Sequence, residues 1–243
     1  MPHLISSRFG AAAGAAGAVV YVVSAFSAGS PLKPDAPVSK IVAHLRDKRG
    51  ALLAGVLLAV IGVGLLLWFL SHLRAFLAEI EGGGAPLAGV TMASWVTLLV
   101  IVVAGATPLA AVIWRGAGGV NPQIASFAFD TGNLSLYSLS APAAMLSVLA
   151  PSVVIWRSGA LPRWLVLLGS IEIVVNVAEL AGLSIRTGSD AAGYVWGIGP
   201  FVWVVWVAAV SVAMLLKAPG KSAAVAVSAI DVSAAPQSRF TIP

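Results

Sequence analysis

Glu172, Asn176 and Glu179 fall inside an otherwise apolar run, Trp164 to Ile185. Their i, i+4, i+7 spacing puts all three on one face of a helix. An ionisable side chain at bilayer depth is costly, by about 2.5 kcal/mol or more on insertion scales, so it faces a bundle interior, a water-filled cavity or a partner. No Lys, Arg or His lies in the middle of any apolar run, so the chain offers these glutamates no deep counter-charge. The two carboxylates are about 10 Å apart along the helix axis, too far to share a proton, and Asn176 between them could bridge through water. Three chemistries fit. In the leading one the polar face hydrogen-bonds this span to other spans or to another subunit. In the second the carboxylates carry protons or a cation. Catalysis comes third, because it needs a second reactive group facing the glutamates and none is evident.

The rest of the reactive inventory is thin. His3, His44 and His72 all lie outside the middle of the apolar runs and form neither an HExxH pair nor a haem-binding pair. The chain has no cysteine, which excludes thiolate catalysis and Cys-ligated metals. It has no Walker loop, no GxSxG elbow and no mid-span Lys, and Glu81-Gly-Gly-Gly-Ala-Pro86 reads as a turn. The expectation is a non-enzymatic chain with neither a metal nor another cofactor.

The elements that must position the polar face are membrane helices. Of 243 residues, 59% are apolar and 9% charged, with a mean hydropathy of +0.99. Ordinary globular proteins carry about a quarter charged residues. A span needs about 20 mostly apolar residues, and six segments qualify: 10–28, 51–70, 87–110, 134–156, 164–185 and 195–216. The first also has signal-peptide composition but is read as a retained span. Residues 1–217 thus form one all-α, polytopic helical membrane domain, and 218–243 a low-complexity tail. The net charge of +5, from 14 Lys and Arg against 9 acids, sits at span ends and in loops, which implies lipid contact and no nucleic-acid binding.

Borders and loops follow. Trp68, Trp114, Trp156, Trp164 and Trp196 lie near span ends, whereas Trp203 and Trp206 fall deeper and pack against a helix, lipid or a partner. Gly10, Gly14 and Ala18 make a small-residue face for close helix packing, and Gly193/Gly197 a weaker match. Loop one ends in an amphipathic helix with Ile41, Val42 and Leu45 at helical spacing. Its Lys40, Arg46, Lys48 and Arg49 are expected at lipid headgroups or on a partner. Span two should run on through Ser71–Glu81 and turn back at the glycines. Pro108 should kink or weaken the end of span three. Residues 115–133 read as a second substantial loop, with Asp130 or Asn133 capping span four. Lys and Arg divide seven against seven between the two sides. The short basic turn Arg157–Arg163 and the lysines after span six favour both termini in the cytoplasm.

Several short motifs resemble those of integral membrane proteins common in mycobacteria and related actinobacteria. They are His44-Leu-Arg-Asp-Lys-Arg-Gly50, Leu67-Trp-Phe-Leu-Ser-His-Leu-Arg74, Glu79-Ile-Glu-Gly-Gly83, Asp130-Thr-Gly132 and Gly159-Ala-Leu-Pro-Arg-Trp-Leu165. The resemblance covers roughly residues 10–216 and implies a six-helix, cofactor-free protein of the plasma membrane and cell envelope, with no catalytic residues to carry over. With it, the leading expectation is an accessory or assembly subunit of a larger envelope complex, such as a lipid-transport machine. Membrane lipids and other integral membrane subunits would be its partners, bound by the polar face of span five and the small-residue face of span one. The alternative is a small proton- or cation-coupled transporter using Glu172 and Glu179.

Overall fold

A computed structural model describes residues 2–29, 32, 36–184 and 198–217. Pro31, Pro34, Arg186, Gly193, Trp196, Gly197 and the tail 218–243 lie outside the described residues. Among the described residues the chain is all-α, with six helices long and apolar enough to cross a membrane. They are α1 (Pro2–Phe26), α3 (Arg49–Glu81), α4 (Pro86–Arg115), the continuous rod α5 (Pro122–Leu134), π turn (Ser135–Leu139) and α6 (Ala141–Ser158), then α7 (Trp164–Ser184) and α8 (Ile198–Leu216). The short helix α2 (Val38–Asp47) lies in the first loop.

Each reversal has a local cause. α3 is 33 residues, about 50 Å at 1.5 Å per residue, and so outreaches a hydrocarbon layer of about 30 Å. It stops where Gly82 and Gly83 take left-handed φ values of 65° and 54°, and Pro86 opens α4. The Glu81 carboxylate closes this turn by accepting from Leu87 N at 2.9 Å and Ala88 N at 3.0 Å, an anion on the free amides of a helix start. α6 ends at Gly159 (φ 63°), whose amide donates to Ile155 O. The exposed Trp114, Trp156 and Trp164 lie at helix ends, as indole rings do at headgroup depth, whereas the exposed Trp68 lies within α3, 13 residues before its end.

The main core joins α1, α3, α4, α6, α7 and α8, and a second cluster joins α2 to α4 and α5. α1 lies against α3 and α8. A methyl on Gly10 would run into His72, and one on Gly14 into Phe69 and Ser211; Ala18 is buried too. The small-residue face therefore packs on the chain's own helices.

Residues 115–133 are not a loop. Only 116–121 separate α4 from α5, because Asn121 and Pro122 start a helix there. Asn121 Oδ1 accepts from Gln123 N at 2.9 Å, and the proline sits at the first helical position, where its missing N–H costs nothing. Asp130 is exposed inside α5 and Asn133 Nδ2 donates back to Phe129 O, so neither caps span four. Pro108 does not end α4, which continues to Arg115.

In α2, Ile41 and Leu45 are buried against Val112 and Ile113 of α4 and Ala125, Ala128 and Phe129 of α5. Lys40, Arg46 and Lys48 are exposed. Arg49 does other work: its Nε donates to Ile113 O at 3.0 Å and its Nη2 to Trp114 O, at the C-terminal end of α4. A guanidinium there satisfies carbonyls that a helix end leaves without donors.

Candidate carboxylate site in the bundle interior

Along α7 the buried positions are Leu165, Gly169, Glu172, Asn176 and Glu179, spaced four, three, four and three. Leu167, Ile171, Val174 and Val177 on the other side are exposed. The three polar residues singled out by spacing therefore share one face, and it points into the chain's own bundle, toward α6, α8 and the π turn. Glu172 is 0%, Asn176 4% and Glu179 1% exposed, so all three side chains are buried within the chain's own bundle.

The two carboxylates are held differently. Asn176 Nδ2 donates to Glu172 Oε1 at 2.6 Å and to the Glu172 carbonyl at 3.0 Å. Glu172 Oε2 is buried and has no hydrogen-bond partner among the described residues. Glu179 Oε1 instead accepts from Gly199 N at 2.9 Å, in the first turn of α8, where free amides and the helix dipole favour negative charge. Gly199 is required there, since a Cβ would collide with the Glu179 carboxylate.

Glu172 and Asn176 border a cavity of about 50 Å³, with Tyr21 of α1, Ser140 before α6, and Gly199 and Trp203 of α8. At about 30 Å³ per water it holds on the order of two waters. Leucines and valines of α3 and α4 close the remaining wall. The π turn brings in Leu136 and is followed directly by Ser140, and Gly105 lets α4 approach it, since a methyl at Gly105 would strike Ser135. Such π segments recur at functional sites because one extra residue re-aims the side chains.

Behind the cavity, Ser147 of α6 receives two indoles. Its carbonyl accepts from Trp95 Nε1 at 3.1 Å and its hydroxyl from Trp203 Nε1 at 2.9 Å, and the two rings lie 4.7 Å apart. Trp206 Nε1 donates to Leu165 O at 3.1 Å. Trp203 and Trp206 are thus buried in the bundle, not exposed to lipid or a partner.

Sequence reasoning missed Tyr21, Ser140, Ser147, Trp95 and Gly199. A usable signal existed for Ser147, which stands four residues before Pro151, where a helical carbonyl loses its donor. Lys40, Arg46, Lys48 and Arg49 belong to the α2 region, away from the cavity lining. Among the described residues no group of three or more His, Cys, Asp or Glu could hold a metal ion.

No protein-family model matches the chain, and no curated protein or solved structure matches it either. What stands on its own geometry is a polytopic helical membrane protein with a buried carboxylate pair.

Proposed function

We propose that this chain is a small proton- or cation-coupled membrane transporter whose exchanging group is Glu172, with Asn176 and Glu179 supporting it. One observation carries the reading: Glu172, one of the residues lining a cavity, has a fully buried carboxylate oxygen, Oε2, without a partner among the described residues. A glutamate retained only to tie helices together is expected to have both oxygens bonded to other protein groups, since an unsatisfied buried polar atom costs about 1–3 kcal/mol. A proton or a bound cation on Oε2 removes that penalty, and exchange between occupied and empty forms is the elementary step of coupled transport. Glu179, fixed on the amide of Gly199, keeps α7 and α8 in register while Glu172 exchanges.

The test is proton flux in liposomes after a pH jump, read with an entrapped dye. Wild-type protein should carry flux, and Glu172→Gln, which keeps shape and the Asn176 contact, should lose it while staying monodisperse. Equal flux from both proteins would reject the reading.

A second reading keeps the chain as an accessory subunit of an envelope complex, with both termini in the cytoplasm and a lipid-transport machine as the partner suggested by the resemblance. The exposed Lys40, Arg46 and Lys48 favour it, since α2 is braced on α4 and α5 and presents them as a fixed basic patch. Gentle extraction from native membranes followed by mass spectrometry decides it. A larger assembly at fixed stoichiometry supports the reading, and a monodisperse chain without companions removes it.

A further inference from the structure

Resting on the reading that Glu172 exchanges a proton, we infer that the cavity's other occupant is a small primary alkylammonium ion, bound at Glu172 Oε2 in exchange for one proton.

Four observations point to that chemistry. First, the uncompensated acceptor is a single oxygen. Glu172 Oε1 is held by Asn176 and Glu179 by Gly199, so the cavity calls for one positive charge. Second, oxygens are scarce. Besides Glu172 and Asn176, the lining side chains offer the hydroxyls of Tyr21 and Ser140, whereas calcium takes 6–8 oxygen ligands and magnesium an octahedron. An ammonium needs only three acceptors for its N–H groups. Third, Leu66, Leu98, Leu99 and Ala144 form an apolar wall that suits an alkyl chain, and the rings of Tyr21 and Trp203 favour a cation over a neutral amine. Fourth, about 50 Å³ corresponds to roughly two waters at about 30 Å³ each, which admits only a short alkyl chain.

The exchange balances. Protonated Glu172 releases its O–H proton to solvent, the alkylammonium enters with its charge, and the site stays neutral overall. No other bond changes. Among the described residues, the other titratable groups around the site are Glu179 on the same helix and Tyr21 from α1, with Tyr137 of the π turn near Glu179; α3, α4, α6 and α8 bring none to the lining. Because the ammonium and the proton compete for one oxygen, apparent affinity should fall about tenfold per pH unit once Glu172 is mostly protonated.

The experiment titrates detergent-solubilised protein, in weak buffer with a pH indicator, with n-propylammonium chloride, and with sodium chloride at the same ionic strength. Propylammonium should release protons saturably, approaching one per chain, and change the tryptophan fluorescence contributed by Trp203. Sodium should do neither. Methylammonium should also bind and n-hexylammonium should not, a size series that needs no variant. Glu172→Gln should abolish the release. Liposome flux separates the two claims. If Glu172-dependent proton flux persists without propylammonium binding, the inference falls and the transport reading stands. If sodium releases the proton equally, or hexylammonium binds as well as propylammonium, the ligand class is overturned. Absence of both flux and binding overturns both.

Discussion

The carbonyl of Ser147 accepts the indole N–H of Trp95 at 3.1 Å because Pro151, four residues on, has no N–H to give it. A proline inside α6 thus creates an acceptor that reaches a different helix. The Ser147 hydroxyl meanwhile takes Trp203 and itself donates to Ala144 O at 2.6 Å. Two aromatic rings from α4 and α8 are thereby clamped to one turn of α6, beside the cavity.

That dependence can be measured. Trp95→Phe leaves the Ser147 carbonyl without a donor and should cost roughly 1–3 kcal/mol in detergent melting. In a Pro151→Ala background the helix supplies its own donor, and the same substitution should cost about 1 kcal/mol less. Equal costs in the two backgrounds would mean that the proline does not create the acceptor.

Glu179 and Gly199 make a second coupled pair. Gly199→Ala forces a methyl into the carboxylate that the Gly199 amide holds, an overpacking cost of about 1–3 kcal/mol. With Glu179→Ala already present, the space is free and Gly199→Ala should be close to neutral. The readout is the melting temperature of the two single variants and the double variant. Additive losses would show that the two residues do not share the space.

How much of this was legible differs by element. The six long apolar runs announced the spans, and the i, i+4, i+7 set announced one polar face on α7, since both depend only on hydropathy and helical period. The destination of that face did not follow. Whether a polar stripe meets its own bundle or a partner depends on how α6 and α8 pack, and no local signal in α7 encodes it. Residues 115–133 read as a loop in the sequence because the Asn121-Pro122 dipeptide within them opens turns as well as helices. Buried Ala125, Ala128 and Phe129 decide for a helix only once α2 and α4 are there to cover them. Arg49 was grouped with its basic neighbours because nothing near it in sequence reveals the end of α4, 64 residues away.

Arg49 therefore separates from Lys40, Arg46 and Lys48 on substitution. Arg49→Lys keeps the charge but loses the fork that reaches two carbonyls, so the last turn of α4 should fray, at a cost of about 1 kcal/mol. Faster amide hydrogen exchange around Ile113 and in α2 would report it. Lys40→Ala, Arg46→Ala and Lys48→Ala should stay within about 0.5 kcal/mol of wild type, as exposed positions do. The Arg46–Asp47 contact at 3.0 Å changes little, because both groups are largely in solvent.

The strictest test of the bundle concerns Gly14. A methyl there would meet Phe69 of α3 and Ser211 of α8, so Gly14→Leu must push α1 off both helices. The expected loss is about 3 kcal/mol or more, with hydrogen exchange rising along α1 first. Gly64 supplies the control. It is exposed on α3 with nothing within 4 Å of an added methyl, so Gly64→Leu should be neutral or slightly stabilising through better helix propensity. Comparing the two removes the general effect of a leucine in an apolar helix. If Gly14→Leu kept the melting temperature and instead released a bound subunit, the small-residue face would belong to a partner, and α1 would not be part of the wall that places Tyr21 at the cavity.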